Sequence, residues 1–303
     1  MKSSNIGGQA VMEGVMMRNA DKYAVAVRKT DGEIVVKTEE YKGIVQNKKI
    51  RSLPIIRGVF SFIDSMVLGM STLTYSASFF MDDEEEEKDE KKESVMMGLT
   101  IACSVVMAVA IFMILPYFLS QLFRKFTDST TLITLLEGAV RLVIFFGYIL
   151  LISRMKDIQR VFMYHGAEHK CINCIEHGME LNVENVLKSS RLHKRCGTSF
   201  LFIVMIVSII FFLFIRIESP IWRVVFRLLL IPVIAGVSFE FIRLAGKSEN
   251  KLVILLSKPG MMLQKLTTRE PDASMAEVAI ASVEAVFDWR AYLKENFGWQ
   301  EKV

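Results

Sequence analysis

The chain has 303 residues, with 37 Lys plus Arg against 33 Asp plus Glu, and its formal net charge of +4 dictates no partner. An apolar fraction of 52% and a mean hydropathy of +0.36 exceed those of an ordinary soluble domain and put membrane spans first. Six prolines, seventeen glycines and four cysteines exclude a collagenous chain and a disulfide scaffold.

Residues 1–52 read as a β-rich cytoplasmic segment. The opening MKSSNIGGQA holds one Lys and no apolar run, which predicts no cleaved secretory signal. Tyr23–Val27 and Ile34–Val36 flank Asp31-Gly32, a turn pair tolerant of positive φ, and together predict a hairpin. Residues 53–80 are long enough to span a bilayer but carry Arg57 and Asp64. With Ile56, Val59, Phe60, Ile63, Val67 and Met70 on one face, they predict an interfacial or re-entrant amphipathic helix. Residues 81–94 follow as an acidic, disordered spacer. Between Asp82 and Glu93 stand nine acids and three bases, and their self-repulsion favours an open chain.

Four apolar runs are long enough for a helix to cross a bilayer core: Val95–Leu119, Leu132–Ser153, Ser199–Ile215 and Pro220–Leu244. They group into transmembrane hairpins over 95–153 and 199–244. Lys and Arg number ten in 1–52, eight in 154–198 and nine in 243–303, whereas the alternate loops hold few. Positive charge stays on the cytoplasmic side, so both termini and the middle loop are expected there. Arg223 and Arg227 sit at the outer end of the fourth span, where they must snorkel or pair within the bundle. In residues 245–303, Ser274-x-x-Glu277 predicts a capping box. Met275, Val278, Ser282, Val286, Trp289, Leu293 and Phe297 then recur at helical spacing, as in a docked amphipathic helix.

The cytoplasmic loop 154–198 holds all four histidines and three of the four cysteines. His165-Gly-Ala-Glu168-His169 is an H-x-x-E-H string; on a helix its three polar side chains share one face, so two imidazoles can hold one ion with a carboxylate beside them. The inverted zincin string of some metalloproteases has this order. His193 is the expected third ligand and Cys196 the next. Gly178 should end the helix and let the chain return. Cys171-x-x-Cys174 with His193-x-x-Cys196 offers a competing closed zinc knuckle. His177 reads as an ordinary satisfied polar group.

Several longer strings carry a resemblance: Gly7-Gly-Gln-Ala-Val-Met-Glu-Gly-Val-Met-Met-Arg18, Tyr164-His-Gly-Ala-Glu-His-Lys170, Val183-Glu-Asn185, Arg195-Cys-Gly-Thr-Ser-Phe200, Leu266-Thr-Thr-Arg-Glu-Pro271 and Glu277-Val-Ala279. Over almost the whole chain they resemble the YqhQ-type family of bacterial multi-pass membrane proteins, a family of unknown function and predicted metal dependence. The resemblance implies roles for His165, Glu168, His169, His193 and Cys196, but not for Cys171 and Cys174. Gly7-Gly8 and Glu13-Gly14 belong to the same pattern. They predict a tight turn near the membrane rather than a phosphate loop, with Glu13 a lesser candidate ligand.

The expected architecture is therefore membrane α-helical: about four transmembrane helices, one amphipathic or re-entrant helix, and a small α+β cytoplasmic lobe. Two functions follow from it. One is a hydrolase at the bacterial cell membrane, using a divalent metal, Zn2+ by its ligand set, with Glu168 as general base. The other is a non-enzymatic accessory factor in membrane-protein biogenesis, whose basic cytoplasmic segments contact ribosome, translocase or acidic lipid headgroups. Membrane lipids are partners in either case, and DNA in neither.

Overall fold

The computed structural model describes residues 2–80, 90–215, 217, 219–247 and 250–300. In chain order its elements are strands β1 (Gly7–Val11), β2 (Gly14–Asn19), β3 (Lys22–Arg28) and β4 (Ile34–Glu40), followed by helices α1 (Lys48–Ser52), α2 (Ile56–Ala77), α3 (Glu90–Val109) and α4 (Leu115–Gln121). Then come α5 (Thr130–Ile152), α6 (Lys156–Glu176), α7 (Val183–Lys188), α8 (Gly197–Phe214) and α9 (Pro220–Leu229). The chain finishes with α10 (Ile231–Lys247), α11 (Lys251–Thr267), α12 (Ala273–Val286) and α13 (Trp289–Phe297). Two compact units result, one from residues 1–81, 152–204 and 232–303, the other from 82–151 and 205–231.

The first unit is built on a four-stranded antiparallel sheet in the order β1-β2-β3-β4. The expected hairpin at Asp31-Gly32 is its β3–β4 half, with Gly32 at φ 90. Its β1–β2 half extends the prediction from a hairpin to a meander; its two-residue turn places Glu13 at φ 48, unusual for a residue with a side chain. Alternation divides the sheet into two apolar faces. Val15, Met17, Ala24 and Ala26 pack with α6 and α12 residues such as Tyr164, Ile172, Met275 and Val283, while Val11, Met16, Val25 and Val27 pack with Leu68 of α2. The buried carboxylate of Asp64 in α2 accepts from the Ile44 N–H at 2.8 Å and the Tyr41 hydroxyl at 3.2 Å. That acidic interruption of α2 thus turns inward.

The C-terminal helix is docked, in two pieces. Asp272, not Ser274, caps α12 by accepting from the Met275 N–H at 2.9 Å, and Ser274 donates to Asp272. Glu277 instead accepts from Arg28 at 2.7 Å. The chain straightens at Phe287, and Asp288 caps α13. Met275, Val278, Ser282, Val286, Trp289 and Leu293 are all buried, as their spacing predicts.

Of the acidic stretch, residues 81–89 lie outside the described part, and Glu90–Ser94 already belong to the backbone of α3. Among the described residues, four helical stretches are long and apolar enough to cross a membrane: Ile56–Phe80, Gly98–Lys125, Thr130–Ile152 and Gly197–Phe214. A fifth candidate is the pair Ile221–Leu229 and Ile231–Gly246, bent by 41°. It corresponds to the run over 220–244. Pro232, at the start of α10, lacks the N–H that would continue α9, which accounts for the break. A π-helical turn at Ala110–Ile114 absorbs Pro116 in the same way within the longest stretch.

In the second unit Glu137, Arg141 and Arg227 pair with one another, while Arg223 donates to the Ile217 carbonyl at 2.8 Å. Glu137 accepts from Arg141 at 3.0 Å, and from Arg227 on both oxygens, at 2.5 and 2.9 Å. Arg141 also donates to the Ser208 hydroxyl at 2.9 Å. Of the two predicted accommodations for Arg227, pairing is the one adopted. Glu240, in the first unit, is held by Arg57 at 2.6 Å.

Candidate metal centre

His165, Glu168 and His169 lie on one face of α6, as their spacing predicts. Helix α6 ends at Glu176, Gly178 follows at φ 79, and the chain returns through α7 to bring Cys196 back to the histidines. Nε2 of His165 stands 3.3 Å from Cys196 Sγ, and the two imidazole centroids are 4.4 Å apart. Among the described residues, His165, His169 and Cys196 form the one group of three whose ligand atoms all lie within 4.8 Å of one another. The Glu168 carboxylate closes one side, its Oε2 3.6 Å from His169 Nε2 and 4.0 Å from His165 Nε2.

Both imidazoles are oriented by backbone. His165 Nδ1 donates to the Thr267 carbonyl at 2.9 Å and His169 Nδ1 to the Arg191 carbonyl at 2.6 Å, so each Nε2 faces the cluster. Metal-binding histidines are commonly fixed through the second ring nitrogen in this way. Burial by itself would raise the Cys196 thiol, but the charge and hydrogen bonds of His165 and His169 hold it well below the ordinary thiol range. His169 responds reciprocally: burial disfavours its cation, yet Glu168 and Cys196 outweigh this and raise it to about 9. Two imidazoles and a thiolate are a donor set suited to zinc.

A cavity of about 160 Å³ opens on the cluster. Gly7 and Gly8 of β1, Glu168, His193 and Arg195 help to line it. A β-carbon on Gly8 would stand 2.7 Å from Glu168 Cγ, so a glycine is what lets β1 lie against the carboxylate.

His193 lines this cavity without joining the ligand group. Its Nε2 lies 3.4 Å from Glu176 Oε2, and its ring centroid 5.8 Å from that of His169. Glu176, fully buried, also accepts from Arg195 at 2.5 Å and from the Ser4 amide and hydroxyl at 2.8 Å each. Burial raises its pKa, but the His193 hydrogen bond and the Arg195 charge prevail and leave the carboxyl below its usual range. Glu13 pairs with Arg160 instead of the cluster. The knuckle does not assemble. Cys171 is enclosed, burial pushing its thiol far up, and Cys174 donates to the Glu180 carbonyl at 3.3 Å with its thiol raised, chiefly by burial, to about 12. His177 Nδ1 caps the Asn173 carbonyl at 2.7 Å, an ordinary satisfied polar group.

Sequence reasoning missed the residues that hold the returning loop. Lys170 donates to the Leu187 and Ser189 carbonyls at 2.8 Å each, and Asn173 to those of Ser190 and Leu192 at 2.7 and 3.0 Å. Gln264 of α11 accepts from the His193 amide at 2.8 Å and donates to the His193 carbonyl at 2.7 Å. The i, i+3 spacing of Lys170 and Asn173 on the ligand helix was the available signal. For Gln264 there was none.

No solved structure matches the chain. It is 37% identical over 301 residues to "Uncharacterized protein YqhQ" of Bacillus subtilis (strain 168), covering 96% of this chain and 94% of that one. Residues 53–289 match the family described as "Protein of unknown function (DUF1385)". With that match and a relative similar along nearly its whole length, the chain belongs to the DUF1385 family, whose function is unknown.

Proposed function

We propose that the chain is an integral membrane hydrolase that holds one divalent metal ion, zinc by its donors, at His165, His169 and Cys196. The observation that carries the proposal is the convergence of two carbonyl-oriented Nε2 atoms and one thiolate beside a carboxylate and an open cavity. A bound ion would supply Lewis acidity toward a carbonyl oxygen and a water. Glu168, 4% exposed and adjacent to both Nε2 atoms, is placed to take the proton from that water. The Thr267 and Arg191 carbonyls keep the imidazoles in the ligating tautomer. The lobe carrying the site is proposed to face the cytoplasm, in keeping with its basic segments.

A second function is tested beside it because two imidazoles and one cysteine sulfur are equally the donors of a structural site. The ion would then only scaffold the lobe of a non-enzymatic biogenesis factor that contacts ribosome or translocase. Complementation of a deletion strain by Glu168→Gln, with metal content and expression followed in parallel, separates the two. Loss of a general base costs about 10²–10⁴-fold in rate, so a hydrolase should fail to complement while still expressing and binding metal. Full complementation would favour the scaffold.

A further inference from the structure

The free edge of β1 borders the candidate metal centre. Among the described residues β1 is the outermost strand, paired only with β2, and its two-residue turn closes on the pair Val11 and Gly14. Hydrogen-bonded pairs alternate from there, so Val11, Gln9 and Gly7 bond to β2 while Gly8 and Ala10 direct their N–H and C=O to the open side. The Met16 carbonyl supports this phase: it points into β1 beside Gly8, 2.7 Å from where a β-carbon there would stand. Gly8 is exposed; by this phase its N–H and C=O stay outside the β1–β2 ladder, and among the described residues no bond from outside the sheet reaches them.

Two cavities flank this edge on opposite faces of the sheet. The first, on the α6 side, is the one that opens on the ligand cluster. The second, about 460 Å³, shares Asn5, Gly7 and Gly8 with it but is otherwise lined on the α2 side, by residues including Met16, Ser65, Leu68 and Phe239. A strand added to a sheet edge sends successive side chains to opposite faces. One side chain would enter the second cavity while the neighbouring residue lies over Glu168. An extended polypeptide backbone is the ligand that matches the outward donor and acceptor of Gly8 between two alternating pockets.

We propose that the substrate is an extended peptide segment that pairs with Gly8 along β1, with an apolar side chain in the Ser65–Leu68–Phe239 cavity and an amide carbonyl at the metal centre. This rests on the hydrolase proposed above for its chemistry, though not for its binding. Hydrolysis there consumes one water. Its oxygen bonds to the amide carbon, the C–N bond breaks, and the proton taken by Glu168 passes to the leaving amine.

The test measures binding without turnover, on full-length protein in detergent micelles treated with chelator. The probe is a blocked, fluorophore-labelled pentapeptide with a central leucine, followed by fluorescence anisotropy. A copy N-methylated at the leucine amide and at the amides on either side of it, one of which pairs with Gly8 in either strand direction, should bind at least about threefold to tenfold more weakly, the effect of one lost hydrogen bond. Ser65→Trp, an exposed position that fills the second cavity, should weaken the parent peptide at least as much. Equal binding of the two peptides overturns the proposal, as does no binding up to millimolar peptide. Retention of phosphatidylglycerol by the wild type but not by Ser65→Trp, without peptide binding, assigns the cavity to an acyl chain and also overturns it. Metal content is read separately, so a chain that binds the peptide but no metal removes the hydrolase and leaves the edge-strand site.

Discussion

The carbonyl oxygen of Arg269 sits 2.0 Å from the point where a β-carbon on Gly166 would stand, so the segment after α11 crosses α6 only because residue 166 has no side chain. That crossing brings the Thr267 carbonyl to His165 Nδ1, and the Arg269 N–H donates to the Phe162 carbonyl at 2.8 Å. Gly166→Ala is therefore expected to push the segment off the helix, at a cost of about 1–3 kcal/mol. Thermal unfolding in detergent should show the loss, and elemental analysis a lowered metal content.

The ligand set makes a prediction of its own. His165→Ala, His169→Ala and Cys196→Ser should each lose bound metal, whereas Cys171→Ser combined with Cys174→Ser should keep it, because those thiols lie outside the group. Elemental analysis of the purified variants decides. Metal retained in the histidine variants and lost in the double cysteine variant would restore the knuckle.

Glu176 should confer a pH-dependent stability. Its carboxyl is held below the ordinary value of 4.5, so it releases its proton more readily in the folded chain than in the unfolded one. Its contribution is complete above the unfolded value and lost as pH falls through the lower folded value. Glu176→Gln should flatten the acid limb of the stability profile. At neutral pH it should cost about 3–5 kcal/mol by stripping a buried partner from His193 and Arg195. Chemical unfolding between pH 3 and 7, on the order of the carboxylate range, measures both effects.

Glu137 balances two arginines that are each 5% exposed or less. Glu137→Ala leaves both without their carboxylate and should destabilise the second unit by about 3–5 kcal/mol, with little effect on metal content. Thermal unfolding followed alongside elemental analysis separates the two properties.

The positive-inside count predicts that single cysteines placed at Thr127 and Asn182 will behave oppositely in intact cells. An impermeant thiol reagent should modify the first and spare the second. The reverse pattern would invert the orientation.

How far the sequence foretold this architecture depended on the range of each interaction. His165, Glu168 and His169 were legible because helical spacing alone sets their common face, and Gly178 because a helix end favours the left-handed conformation. Cys196 was legible only through ligand chemistry. His193, the expected third ligand, turns instead to Glu176 while Gln264, 71 residues away, holds its backbone, and no local pattern encodes that. Of the β1–β2 hairpin the sequence shows the tight turn at Glu13-Gly14 but not the strands, because Gly7-Gly-Gln-Ala lacks the β-branched and aromatic residues of a strand. Its partners are supplied by the α6 and α2 faces rather than by intrinsic strand preference. The single C-terminal helix was half right: its apolar periodicity runs unbroken through Phe287, and only the Asp288 cap marks the interruption.

The acceptor that orients His165 belongs to Thr267, more than a hundred residues downstream of it, while Gly8 leans on Glu168 from the other end of the chain. During synthesis both histidines and Cys196 leave the ribosome well before Thr267 does. An unfinished chain thus carries its ligands without the carbonyl that fixes their tautomer. High-affinity metal uptake becomes a late event in biogenesis, so metal content records how many molecules have completed both insertion and lobe folding.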